Sequence, residues 1–212
     1  MSLDTTEETI PQSDDCKPHP GRTMTWKEFH DWLDDKTHAE WVKGEVRIMP
    51  PASDPHQILI SVLDSPLTFY VVKHDLGAIR VAPFQVRLRR SSREVDIIFV
   101  AKHNATRIKR TFLDGAPDVA IEIQSRSTRR IDRTEKYQEY EEAGVQEYWM
   151  IDPDRHHAEF YRLNPGGSFE VVVLLEGFFV SEALPGLRLP VERLWNAPLV
   201  HIHAIAHEMD AL

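Results

Sequence analysis

The chain of 212 residues carries one cysteine, Cys16, so it can form neither an intramolecular disulfide nor a cysteine-based zinc site. A lone thiol in a polar leader suits a reducing cytoplasm, and a cytoplasmic location is expected. No apolar run approaches the ~20 residues of a membrane span, and no basic start leads into an apolar signal region. No membrane partner is expected. Positive charge is short: 25 Lys and Arg stand against 34 Asp and Glu, a net charge of -9. That balance argues against a broad surface that coats nucleic acid. There is no zinc finger, no other base-reading motif, no internal repeat, and no low-complexity tract beyond the leader.

The hydrophobic fraction of 42% and five tryptophans suffice for a sizeable core in one large domain. Residues 1–23 are rich in Thr, Glu, Ser, Asp and Pro without a hydrophobic period, and read as a flexible arm. Residues 24–195 read as the folded domain, and 196–212 as a C-terminal tail, either a short helix or loose. TMTWKEFHDWLDD predicts an amphipathic helix with Thr25 as N-cap and Glu28 closing a capping box. Its Trp26, Phe29, Trp32 and Leu33 share one face, as core packing requires. AEWVKGEVRIMP predicts a hairpin turning at Lys43-Gly44. A long helix is expected from near Pro55, with Ile58, Val62 and Phe69 on its apolar side and Pro66 as a possible kink. AIRVA, FQVRLR and EVDIIFV read as short strands, and AKHNATRIKRTFLDG as a polar connection with a short helical or coiled piece. PDVAIEIQ is a further strand. A helix follows over roughly Thr128 to Ala143, ending at Gly144. VQEYWMID is the next strand, and HAEFYRL, SFEVVVLL and GFFV are expected to close an antiparallel meander.

Two carboxylates stand out. Asp96 opens the apolar run of EVDIIFV. In VAIEIQ, alternation places Ala120, Glu122 and Gln124 on one face and Val119, Ile121 and Ile123 on the other. If the two strands are neighbours, Asp96 and Glu122 converge at one opening of the sheet. Two close carboxylates repel unless a cation joins them. A hard divalent ion, Mg²⁺ or Mn²⁺, is one partner; nearby arginines are the other. On the following helix Asp132, Lys136 and Glu139 form a stripe. Lys136 can reach the polar strand end, where an ammonium orients water or offsets phosphate charge. The alternative is an exposed charge ladder. Tyr137 and Tyr140 are expected to pack on the sheet. RLRRSSRE and RSTRRIDR are locally basic and read equally well as solvated faces. His201, His203 and His207 crowd the tail, a pattern more often incidental than metal-binding.

An acid on one strand, Glu-x-polar on the next and then a helix resembles the core of the PD-(D/E)XK nuclease superfamily. Within it, the chain is similar to the bacterial Uma-type restriction endonucleases, long known as a domain of unknown function. The resemblance rests on AEWVKGEVRIMPPASDPHQ, REVDIIFV and APDVAIEIQSRSTRRIDRTEKYQEYEEAGVQEYWMIDP, in that order. The block ending in GVQEYWMIDP is the most specific. It implies an α/β (α+β) fold, a mixed β-sheet flanked by helices with added antiparallel strands. It implies a Mg²⁺- or Mn²⁺-dependent endonuclease acting on phosphodiester bonds of nucleic acid, DNA above all, and a homodimer. By position, Asp96 and Glu122 would hold the metal, the Ile123 carbonyl would be a third ligand, and Glu40 would complete the shell. His56 matches a recurrent histidine of underived role. Lys136 matches a helix lysine replacing the one absent from the strand, where Gln124 stands and can orient water. Arg126, Arg129, Arg130 and Arg133 are candidates to hold the nucleic-acid backbone. The chain departs from the family pattern at Val95 and Arg126, both prolines there, and at Gln124. The competing expectation is a catalytically degenerate nuclease fold, kept as a nucleic-acid-binding or protein-interaction module.

Overall fold

The computed structural model describes residues 23–34, 36–125, 127–195 and 198–212. The expected arm, apart from Thr23, and Arg126 lie outside the described residues. Chain order is α1 (Trp26–Trp32), β1 (Ala39–Val42), β2 (Glu45–Ile48), α2 (Asp54–Lys73), β3 (Gly77–Val81), β4 (Gln85–Arg87), β5 (Ser91–Glu94) and β6 (Ile97–Ala101). After a 3₁₀ turn over Lys102–Arg107 come β7 (Phe112–Asp114) and β8 (Val119–Ile123). Next are α3 (Arg129–Ile131), a π-helical turn over Asp132–Lys136, α4 (Tyr137–Ala143), β9 (Glu147–Asp152) and β10 (His157–Leu163). The chain ends with β11 (Phe169–Val171), β12 (Phe178–Val180), β13 (Arg188–Pro190) and α5 (Pro198–Glu208).

Two larger sheets organise these elements. A mixed six-stranded sheet has the order β11-β10-β9-β8-β6-β3, and a five-stranded sheet the order β2-β1-β5-β4-β7. β8 and β9 are parallel neighbours joined through α3, the π-turn and α4, a β-α-β unit. Side-chain alternation on β8 divides the core as expected. Val119, Ile121 and Ile123 pack with α2 and α5. Ala120 faces the other way, against Tyr140 of α4 and Val86 and Leu113 of the five-stranded sheet. Glu122 and Gln124 therefore point toward the side where the two sheets and α4 meet.

The capping box forms, with the Glu28 amide donating to Thr25 Oγ1 and the Thr25 amide to Glu28. Gly144 closes α4 at φ 81°, a left-handed turn that a Cβ would strain. Several expectations are corrected. EVDIIFV is not one strand: Ser91–Glu94 belongs to the five-stranded sheet and Ile97–Ala101 to the six-stranded one. Val95 and Asp96 make the crossing, which sets Asp96 at the junction of the sheets. Phe69 is 53% exposed because the buried arc of α2 is centred on Leu59, Leu63, Pro66 and Tyr70, leaving Phe69 at its margin. α2 runs through Pro66. The meander is shorter than its apolar sequence suggests: β11 ends at Val171, and β12 pairs with β13 in a separate two-stranded sheet. Two three-residue strands, β7 and β13, went unexpected because runs this short carry no usable period. Of the two forms open to the last residues, the structure takes the helix. Ile205 and Ala206 of α5, with Met209 and Ala211 beyond it, are buried in the main core against α2. No helix among the described residues is long and apolar enough to cross a membrane.

Candidate active site

The site begins where β6 and β8 lie antiparallel. Ile97 pairs with Ile121, which sets Asp96 across from Glu122 just beyond the last pair. Asp96 Oδ2 accepts the Ile123 amide at 2.7 Å, and His56 Nε2, from the first turn of α2, is 3.2 Å from Oδ1. Glu122 is buried. The Lys136 ammonium lies 2.9 Å from its carboxylate, and the Tyr140 hydroxyl donates to Oε1 at 2.7 Å. Lys136 is also 3.2 Å from Glu40 Oε1 and 3.6 Å from Asp132 Oδ1. The exposed charge ladder is thereby set aside: Asp132 and Lys136 are buried, and the π-helical turn that carries both directs them at the sheets. Single π turns of this kind recur at functional sites.

Arg93, on β5, ties the five-stranded sheet to α4 and was missed in the sequence. It is 0% exposed. Its Nη1 donates to Glu40 at 2.7 Å, while Nε and Nη2 grip Glu139 at 2.9 and 2.7 Å. Glu139 also accepts from Ser91 Oγ at 2.8 Å, and Arg47 pairs with Glu135 at 2.6 Å beside it. A planar guanidinium suits such a fork. The available signal was alternation within SSRE, which puts Ser91 and Arg93 on one face; the basic composition of the run hid it.

The electrostatics follow from these contacts. Burial opposes the charge on Lys136, but Glu122, Glu40 and Asp132 outweigh it and hold its pKa well above the usual lysine range. Burial also opposes ionisation of Glu40, yet Lys136 and Arg93 keep its carboxyl below the usual range. Glu122 goes the other way. Burial lifts its pKa well above 4.5, Lys136 opposes, and Asp96, Asp132 and Glu40 add to the rise. Four carboxylates share one ammonium and part of one guanidinium, so negative charge is in excess.

A cleft of about 1660 Å³ opens over this cluster, lined among others by His38, Met49, His56, Glu94, Asp96, Glu122, Ile123, Gln124 and Lys136. Gln124 is buried; its amide donates to Met150 Sδ at 3.4 Å and its Oε1 has no partner. The structure thus brings Asp96, Glu122, Ile123, Gln124, Lys136 and His56 to one cleft, with Glu40 behind Lys136. Of the candidate arginines, the three described ones do not line the cleft. Arg129 is held by Asp152 at 2.7 Å and Arg133 by Glu159 at 2.7 Å, while Arg130 is exposed. The tail histidines fall on α5, away from the cleft.

Among the described residues, no three His, Cys, Asp or Glu side chains stand at metal-holding spacing. At the cleft floor the Lys136 ammonium lies between Glu40, Glu122 and Asp132. The donor set nevertheless fits a hard divalent cation. It is made of oxygens, it carries excess negative charge, Gln124 Oε1 is buried without a hydrogen-bond partner, and Glu40 Oε1 has only the Lys136 ammonium, 3.2 Å away.

An acid where the chain crosses between the two sheets, an acid on β8 beside it and a lysine from the β8–β9 crossover sit in an α+β fold of mixed sheets flanked by helices. The chain belongs to the Uma2 family, described as putative restriction endonuclease, whose profile matches residues 26–192. The crystal structure of a putative nuclease belonging to DUF820 from Anabaena variabilis shares the fold, with a TM-score of 0.67 at 22% identity, covering 81% of this chain and 97% of that one. Among curated proteins nothing matches the chain.

Proposed function

We propose that the chain is a divalent-metal-dependent endonuclease that hydrolyses phosphodiester bonds of DNA. The observation that carries this reading is the buried Glu122–Lys136 pair facing Asp96 across two strands, at the floor of a cleft, in a chain of a nuclease-like family. Asp96, Glu122 and the Ile123 carbonyl would hold Mg²⁺ or Mn²⁺, with Glu40 completing the shell. Such an ion neutralises charge on a phosphate oxygen and acidifies water. Lys136 supplies a compact positive charge for the transition state. Tyr140 holds Glu122 in place, and His56 holds Asp96. Gln124 offers its free Oε1 as an acceptor that orients water. Arg130 remains a candidate for backbone contact, as does Arg126; Arg129 and Arg133 would have to leave carboxylates to serve.

The reading includes a homodimer, supported by the edge strand β11 with its exposed Val171 and by the exposed Val173 and Leu175 that follow it. Light scattering that gives a monomer at micromolar concentration would refute that part. It also includes a cytoplasmic location. The catalytic claim is tested by incubating DNA and RNA of varied structure with Mg²⁺ or Mn²⁺. Cleavage lost in Glu122→Ala and Asp96→Ala supports it. Mn²⁺ binding without cleavage of any substrate would favour the non-catalytic alternative, a binding module on a nuclease fold.

A further inference from the structure

Asp132 has no part in the reading given so far. Its side chain is 0% exposed, and neither carboxylate oxygen has a hydrogen-bond partner. Burial raises its pKa; Lys136 and the nearby Thr128 side chain oppose that rise without offsetting it. Lys136 Nζ stops at 3.6 Å, although it reaches Glu122 at 2.9 Å. The backbone here is fixed, since Tyr148 donates its hydroxyl to the Asp132 carbonyl at 3.2 Å. A buried carboxylate with no donor is costly. The chain keeps one within a short movement of an ammonium that is turned to other partners.

Those partners are the groups assigned above to a cation. Lys136 sits 2.9 Å from the Glu122 carboxylate and 3.2 Å from Glu40. An ammonium and a divalent ion on the same oxygens repel strongly at low dielectric. A divalent ion that takes Glu122 therefore displaces the ammonium. A displaced ammonium inside the protein needs another anion, because an unpaired buried charge is strongly destabilising. Of the carboxylates within 4 Å of Nζ, Asp132 alone is neither a proposed ligand nor already hydrogen-bonded. The flexible lysine stem, with three rotatable donors, suits an exchange between partners.

We propose that Asp132 is a positioning residue for Lys136, its carboxylate left free of hydrogen bonds so that the ammonium passes to it when a divalent cation takes Glu122. The proposal rests on the metal-dependent reading given above. It makes Asp132 a determinant of metal affinity without being a ligand.

The test is Mn²⁺ titration, followed by thermal shift, of the full chain as wild type, Asp132→Asn, Lys136→Met and the double variant. Lys136→Met should bind Mn²⁺ about tenfold tighter, because its competitor is gone, and Asp132→Asn about tenfold weaker, because the ammonium has nowhere to go. In the double variant the Asp132→Asn loss should vanish. Asp132→Glu, which keeps the charge, should recover most of the wild-type affinity. If the Asp132→Asn loss persists undiminished without the lysine, Asp132 is a direct ligand and the proposal fails. Equal affinity of wild type and Asp132→Asn overturns it as well, while leaving the metal site intact. Absence of any Mn²⁺ shift in all four proteins removes the metal-dependent reading itself, and the proposal with it. Lys136→Gln replaces Lys136→Met if the latter does not fold.

Discussion

Replacing Arg93 by methionine should be among the most damaging single changes in the chain. The side chain is fully buried and bonds Glu139 through two nitrogens and Glu40 through a third. Methionine retains the apolar stem and deletes the fork. Glu139 keeps the Ser91 hydroxyl, and Glu40 keeps Lys136, but both lose their closest cation. Breaking a buried pair from one side costs about 3–5 kcal/mol. In a chain of this length each kcal/mol moves Tm by about 2–4 °C, so a fall of roughly 6–20 °C is expected. The assay is urea denaturation followed by circular dichroism, with the midpoint compared at unchanged slope. Arg93→Lys should recover only part of the loss, since one ammonium cannot grip both Glu139 oxygens and Glu40 together. A loss below about 1 kcal/mol is what an exposed pair gives. That result would mean that the RLRRSSRE run is solvated after all, and that the bridge between the five-stranded sheet and α4 carries no weight.

Tyr140→Phe removes one donor from buried Glu122 and should cost about 1–3 kcal/mol, with nuclease turnover falling while DNA affinity holds; an unchanged urea midpoint would refute the contact. Glu122 sets a pH dependence. Its folded pKa is raised above 4.5, so the folded state keeps a proton that the unfolded chain has released, and stability falls as pH rises from 4.5 through the folded value. Without metal, the wild type should lose Tm across that window and Glu122→Gln should lose less; parallel slopes would contradict the raised pKa. DNA binding by fluorescence anisotropy should require a divalent ion, Ca²⁺ included, and equal affinity in EDTA would show that the chain's own cations suffice.

The parts of the fold that the sequence made legible are those where one periodicity dominated. β8 and its split between two cores followed from strict alternation, and α1 from its capping box. The helical stretch ending at Gly144 followed from the one residue that tolerates φ 81°. What stayed hidden were places where one run of residues serves two environments. EVDIIFV looks like a single strand because both halves are apolar, yet it changes sheets at Asp96, and no local pattern encodes that change. The stripe of Asp132, Lys136 and Glu139 is open to two readings, a lysine reaching the strand end or a surface ladder, and an ideal helix does not decide between them. The π-helical turn alters the rotation within it and buries two of the three. Candidate site residues were legible for a different reason. Asp96, Glu122 and Gln124 interrupt strands otherwise rich in Val and Ile, and a polar side chain there needs a partner. Their partners were not legible, because Arg93, Tyr140 and Asp132 come from segments whose own composition gives them ordinary roles.

The charge around the cleft bears on how a polyanion reaches it. The whole chain is acidic, at -9, and Glu94, Asp96, Glu122 and Asp154 line the opening against Lys36 and Lys136. Lys136 is committed to Glu122 and Glu40. Two of the four arginines that composition offered for phosphate contact are spent as well, Arg129 on Asp152 and Arg133 on Glu159. Counterion release, the usual source of affinity for nucleic acid, needs cations free to meet phosphates. The described chain supplies few on this side. Positive charge therefore has to arrive from outside, and the carboxylate excess that lifts Glu122 is what would attract it. On the proposed reading a divalent ion would do two things at once. It would offset the repulsion that keeps a phosphodiester out, and it would pass the ammonium of Lys136 from Glu122 to Asp132. Metal is then expected to bind before nucleic acid.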